Sequence, residues 1–94
     1  MHEAELKVIG GKLIRINFLL EDNKISNMKI TGDFFLYPEE GIEELERKLN
    51  GIEAKANKIQ EIIIGFFNEG FVIVGAKPDD FTKAILLAKN TRNS

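Results

Sequence analysis

Apolar and polar residues alternate along residues 12–20, where Ile14, Ile16, Phe18 and Leu20 fall on one side and Arg15 and Asn17 on the other. A period of two is the signature of a half-buried strand. The preceding residues 5–9 form a shorter run with Leu6 and Val8, and Gly10-Gly11 between the two runs supplies the positive φ that a hairpin turn requires. Glu21-Asp22-Asn23 reads as a second tight turn. It is followed by residues 25–31, with Met28 and Ile30 on one face and Asn27, Lys29 and Thr31 on the other. Short turns between three such runs predict an antiparallel meander with one buried face.

After Pro38 the period changes. Proline followed by Glu39 and Glu40 suits a first helical turn. Ile42, Leu45 and Leu49 recur at helical spacing, with Glu43/Arg47 and Glu44/Lys48 as exposed i,i+4 pairs, and Asn50-Gly51 ends the helix. Ile59, Ile62, Ile63, Phe66 and Phe67 trace a second amphipathic helix that Gly70 closes. Residues 71–74 (Phe-Val-Ile-Val) read either as a short strand or as a buried extended link. Pro78-Asp79-Asp80 opens a third helix, whose apolar face carries Phe81, Ala84, Ile85 and Ala88. Strands first and helices afterwards predict an α+β fold in one domain over residues 1–94, with about three helices on one face of the sheet. The opposite face is expected to meet solvent or a partner.

Composition narrows the function. Thirteen basic against fifteen acidic residues give a net charge of -2 and a pI near 5.4, which argues against a nucleic-acid partner that must be met by a basic face. The 44% hydrophobic content is enough for a core. No cysteine is present, so thiolate chemistry, disulfides and cysteine metal sites are excluded. The one histidine, His2, sits at the amino terminus, where fraying is expected and a catalytic dyad is not. The run Ile62-Ile-Ile-Gly-Phe-Phe67 is far short of the ~20 apolar residues that span a bilayer, and the acidic start Met-His-Glu-Ala-Glu is unlike a secretory signal. A cytoplasmic location with no membrane association is the expectation.

Two segments carry the remaining information. Gly10-Gly11-Lys12 offers backbone N–H groups and a charge to a phosphate, yet it lacks the Walker A spacing and lies between strands rather than before a helix. On local sequence alone, a hairpin turn with a solvated lysine is the better account of it. In Gly32-Asp-Phe-Phe-Leu-Tyr-Pro38, the strand ends at Gly32 and the chain turns at Asp33, where a side chain commonly bonds its own backbone. Adjacent Phe34 and Phe35 cannot both point inward from an extended chain, so one enters the core and the other is exposed, unless a bend anchors both. The acid pairs Glu43/Glu44 and Asp79/Asp80 read as solvated helix positions without a third convergent ligand, so neither is expected to hold a metal.

Gly-Gly-Lys-Leu-Ile-Arg at residues 10–15, the Gly-Asp-Phe-Phe-x-x-Pro-Glu block at 32–39 and Gly-x-Lys-Pro-Asp-Asp-Phe at 75–81 together resemble the accessory domain of lipoate–protein ligases, over residues 7–88. The resemblance implies a fold similar to sulfur-transfer and iron–sulfur scaffold proteins, although a chain without cysteine cannot carry persulfide or build a cluster. It also implies a non-catalytic subunit, half of a two-chain enzyme and inactive alone. The catalytic subunit would hold ATP, Mg²⁺ and lipoate and form lipoyl-AMP before transfer to a lysine of a lipoyl-carrier domain; this chain by itself would bind no cofactor. By the same resemblance, Gly10, Gly11 and Lys12 lie near the nucleotide or adenylate, and Asp33, Phe34, Phe35, Tyr37 and Pro38 face the partner. The alternative is a stand-alone interaction or scaffold module with no enzyme partner.

Overall fold

The alternating run becomes the central strand of a three-stranded antiparallel sheet ordered β1-β2-β3, in which β1 is His2–Lys7, β2 Leu13–Glu21 and β3 Lys24–Gly32. The computed structural model of the chain describes residues 1–8, 10 and 12–91. Ile14, Ile16 and Phe18 of β2 are buried, as the alternation requires, and Leu20 is half-buried. Asp22 and Asn23, with φ of 52° and 62°, make the two-residue turn that joins Glu21 to Lys24. Positive φ at both central positions gives a turn whose twist matches that of the strands it connects.

β1 lies earlier than residues 5–9. Pairing runs from His2 opposite Phe18 to Lys7 opposite Leu13, after which the Val8 N–H still donates to the Lys12 carbonyl at 2.8 Å. Ile9 lies outside the described residues. His2 is therefore not frayed. Its ring stacks on Phe18 with centroids 5.5 Å apart, and its Nδ1 lies 3.2 Å from the Ala88 carbonyl oxygen.

β3 departs from strict alternation. Register shifts between Asn17 and Leu19, so Asn27 and Met28 together oppose Phe18, and Asn27 takes φ 53°. This bulge resets the phase of the strand and turns Ile25 inward along with Met28 and Ile30. As an edge strand, β3 would leave N–H groups unpaired. The Asn50 side chain accepts from the Met28 N–H at 2.9 Å, and the Glu46 carboxylate accepts from the Ile30 N–H at 2.8 Å. The edge is thereby closed by the neighbouring helix.

Three helices follow among the described residues: α1 Gly41–Leu49, α2 Ala56–Asn68 and α3 Pro78–Lys89. α1 packs on β3, α3 packs on β1 and β2, and α2 packs on both other helices. Leu45, Leu49, Ile59, Ile63, Phe66, Phe81, Ala84, Ile85 and Ala88 meet the inner face of the sheet in one core. On the opposite face, Arg15 pairs with Glu5 across strands at 2.9 Å. The i,i+4 pairs expected on α1 do not form. Arg47 instead pairs with Glu44 one turn earlier, and Lys48 reaches Glu69 at the end of α2, 2.9 Å away.

Pro38 does not begin a helix. It ends a further short strand, β4 Phe35–Tyr37, and its carbonyl accepts from the Gly41 N–H at 2.9 Å. β4 pairs antiparallel with β5 Val72–Val74 to form a separate two-stranded sheet. The run at 71–74 is thus a strand, but one outside the main sheet. The two strands are separated in the sequence by α1 and α2, so local pattern does not encode their pairing.

Candidate functional site

The paired strands β4 and β5 alternate in step. Phe35 opposes Val74, Leu36 opposes Ile73 and Tyr37 opposes Val72. Leu36 is buried and Ile73 packs against the core, so the other four side chains share the outer face. Phe35, Tyr37, Val72 and Val74 are 58%, 50%, 56% and 53% exposed. The Phe35 and Tyr37 rings stack at 6.5 Å, which joins them into one apolar surface. Scattered exposed apolar residues are ordinary, but four on one small sheet form a patch of the kind that another surface covers.

The two phenylalanines divide as the extended backbone requires. Phe34 is half-buried and meets the Phe81 ring edge-on at 5.2 Å, while Phe35 belongs to the patch. Among the aromatic positions of the Gly-Asp-Phe-Phe block, Phe34 therefore supports the fold from below and Phe35 and Tyr37 form the surface above.

Asp33 has a longer reach than a local turn. Its carboxylate accepts the Leu13 N–H, and its own N–H donates to the Leu13 carbonyl at 3.1 Å. These two bonds fasten the Gly-Asp-Phe-Phe block to the residue after Lys12. Gly32 makes the approach possible, because a Cβ there would stand 2.2 Å from the Leu13 carbonyl oxygen.

Lys12 lies where the sequence-distant motifs converge. Its half-buried stem rests on Gly75, whose φ is +100° and at which a Cβ would stand 3.2 Å from Lys12 Cγ and 3.5 Å from Phe34 Cα. Gly75 directly follows the exposed Val74, so the apolar patch runs up to the lysine. Beside it, a cavity of about 580 Å³ is lined by Gly10 and Lys12 on one side and by Lys77, Asp79, Asp80 and Lys83 on the other. Gly10 takes φ 97° in the turn; Gly11 lies outside the described residues.

The acids of this cavity each hold a local contact and still contribute negative charge to it. Asp80 accepts the Lys77 N–H at 2.8 Å and so caps the start of α3, while Asp79 faces Lys83 at 3.5 Å. Among the described residues, neither Lys12 nor Lys77 forms an ion pair, and no group of three or more His, Asp or Glu side chains is arranged to hold a metal ion. No helix among them is long and apolar enough to cross a membrane.

Residues 2–85 match the family model described as the bacterial lipoate protein ligase C-terminus. The chain belongs to the lipoate–protein ligase C-terminal domain family. A curated relative, lipoate-protein ligase A subunit 2 of Thermoplasma acidophilum, is 41% identical over 85 residues, which cover 90% of this chain and 87% of the relative. A solved structure from the same organism, of a bi-partite lipoate protein ligase and its E2 lipoyl domain, contains a chain of the same fold. It superposes with a TM-score of 0.80 and 38% identity, covering 90% of this chain and 97% of that one. The α+β architecture expected from the order of strands and helices is the one observed, and that solved chain shares it.

Val72, Val74 and Lys77 were not singled out by sequence. The alternation in Val72-Ile73-Val74 was present as a signal, but its partner strand lies more than thirty residues earlier, and nothing local joins them. Lys77 sits inside the motif at 75–81, whose contact with Lys12 appears only once β1, β2 and α3 are packed.

Proposed function

We propose that this chain is the non-catalytic subunit of a two-chain lipoate–protein ligase, required with the catalytic chain for ATP-dependent activation of lipoate to lipoyl-AMP. The observation that carries the reading is the family membership together with near full-length similarity to subunit 2 of such a ligase. Support from geometry comes from the position of the patch. Phe35, Tyr37, Val72 and Val74 give the catalytic chain an apolar anchor, and Lys12 stands at the edge of that anchor. Docking there brings a cation to the rim of the adenylation site without placing a catalytic group on this chain.

The physical contribution is closure. A small domain seated over an adenylation site excludes water, strengthens the interactions around the nucleotide and shields a mixed anhydride from hydrolysis. Lys12 adds positive charge where pyrophosphate departs. ATP, Mg²⁺ and lipoate arrive on the catalytic chain, and the lipoyl-carrier domain is met through the assembled enzyme.

The test is to mix the two chains and follow both assembly, by sedimentation, and lipoyl-AMP, by acid quench. A heterodimer that makes lipoyl-AMP is expected. Lys12→Ala should leave the heterodimer intact and slow lipoyl-AMP formation by about a hundredfold, the low end for loss of one preorganised donor at a reacting group. Unchanged adenylate formation in Lys12→Ala would remove the lysine from this role. Failure of the chains to associate would remove the subunit reading itself.

A further inference from the structure

The peptide unit that joins Lys12 to Leu13 is held at both of its polar ends. Its carbonyl accepts the Val8 N–H at 2.8 Å, and its N–H donates to the Asp33 carboxylate. The second bond replaces one that the sheet would have made. Leu13 and Asp33 stand just beyond the last pair of β2 and β3, Ile14 opposite Gly32, and the Asp33 N–H still donates to the Leu13 carbonyl at 3.1 Å. In a continued antiparallel ladder the Leu13 N–H would return to the Asp33 carbonyl. The chain leaves the sheet at this point, and the Asp33 side chain accepts in place of its backbone. Beyond the peptide, the stem of Lys12 lies against Gly75, where a Cβ would stand 3.2 Å from Cγ and 3.6 Å from Cδ.

We propose that Asp33 is a positioning residue for Lys12, whose carboxylate fixes the backbone from which the lysine stem leaves. Lysine is a compact charge on a flexible stem, so the charge keeps one place only where both the backbone and the stem are set. Asp33 sets the first and Gly75 the second. Attraction between opposite charges is not the basis, since Asp33 and Lys12 form no ion pair among the described residues. What Asp33 supplies is an acceptor at a fixed point, and an amide oxygen of the same length supplies it too. The clasp is read from the structure; that the lysine it holds acts in adenylation rests on the proposed function.

The test places Asp33→Ala and Asp33→Asn in the two-chain enzyme, each alone and with Lys12→Ala, and reads lipoyl-AMP formation at saturating substrates. Asp33→Ala should slow the reaction by about tenfold, within the hundredfold that misplacing a group at a reacting centre can cost. Asp33→Asn keeps an acceptor for the Leu13 N–H and should stay within about twofold of the unaltered enzyme. In the Lys12→Ala background, Asp33→Ala should slow the reaction no further, because the group it positions is gone. A purely structural Asp33 would add its loss to that of Lys12→Ala, and that result overturns the proposal. So does an Asp33→Asn enzyme as slow as Asp33→Ala. Amide exchange on this chain alone tests the clasp without a partner. Exchange at Leu13 should quicken in Asp33→Ala and not in Asp33→Asn, and unchanged exchange in Asp33→Ala would also overturn it. The two readings fail separately. Slowing by Lys12→Ala without slowing by Asp33→Ala removes the positioning role alone. An inert Lys12→Ala removes the lysine from adenylation, and the role of Asp33 falls with it.

Discussion

Single residues in this chain act by letting two segments touch. Gly32 is the clearest case. Any side chain there meets the Leu13 carbonyl, and that carbonyl is backbone, held by the Asp33 N–H and unable to step aside cheaply. Gly32→Ala should therefore destabilise the protein by about 2 kcal/mol, in the range of overpacking, lowering the melting temperature by roughly 8–16 °C for a domain of this size. A thermal unfolding curve checks it, and a shift within a few degrees would mean that the strand end relaxes freely. Asp33 works at the same junction, with a bonded partner twenty positions away rather than in its own turn. Sequence located both residues and identified the turn, but the identity of Asp33's partner needs the register of β2 against β3. His2 teaches the same lesson, since a terminal residue is ordered once its strand has Phe18 and Ala88 to lie on.

At the scale of elements, regular period was legible and its interruptions were not. The alternation of β2 and the helical spacing of α2 and α3 could be read directly because each is set by a face against one core. The bulge at Asn27 breaks that rule in β3, burying Ile25 out of phase. Asparagine tolerates the left-handed conformation at φ 53°, whereas a β-branched residue does not. Asn27→Val should cost about 1–2 kcal/mol in chemical denaturation, while Asn27→Gly should be close to neutral. Equal effects of the two would deny that backbone conformation is the cause. β4 was hidden for a different reason. Three residues after a tight turn carry too little periodicity, and their partner β5 lies beyond α1 and α2 in the sequence. That pairing gives the patch its character. Phe35→Ala combined with Tyr37→Ala should weaken binding to the catalytic chain by more than about tenfold, with stability changed by no more than ~0.5 kcal/mol as for other exposed sites. Calorimetric titration against the catalytic chain, next to a melting curve, separates the two. Loss of stability instead of affinity would make the patch part of the fold.

Over the whole molecule, three motifs that are far apart in sequence meet at one corner. The turn before β2 brings Lys12, the block after β3 brings Phe34 and the patch, and the segment before α3 brings Gly75 and Lys77. The sheet and helices set these positions, and the chemistry-bearing groups stand at the edge rather than in an enclosed cleft. The arrangement fits a chain that completes another protein's site better than one that owns a site. Family membership and the α+β architecture were readable from the motifs and their order, whereas the corner where the motifs meet was not, because it is made by contacts between elements. The most direct measurement is ATP–pyrophosphate exchange with lipoate by the catalytic chain, with and without this protein. Exchange that appears only with both chains, and rises to a plateau at one equivalent, is the predicted result. Exchange at full rate by the catalytic chain alone would contradict it.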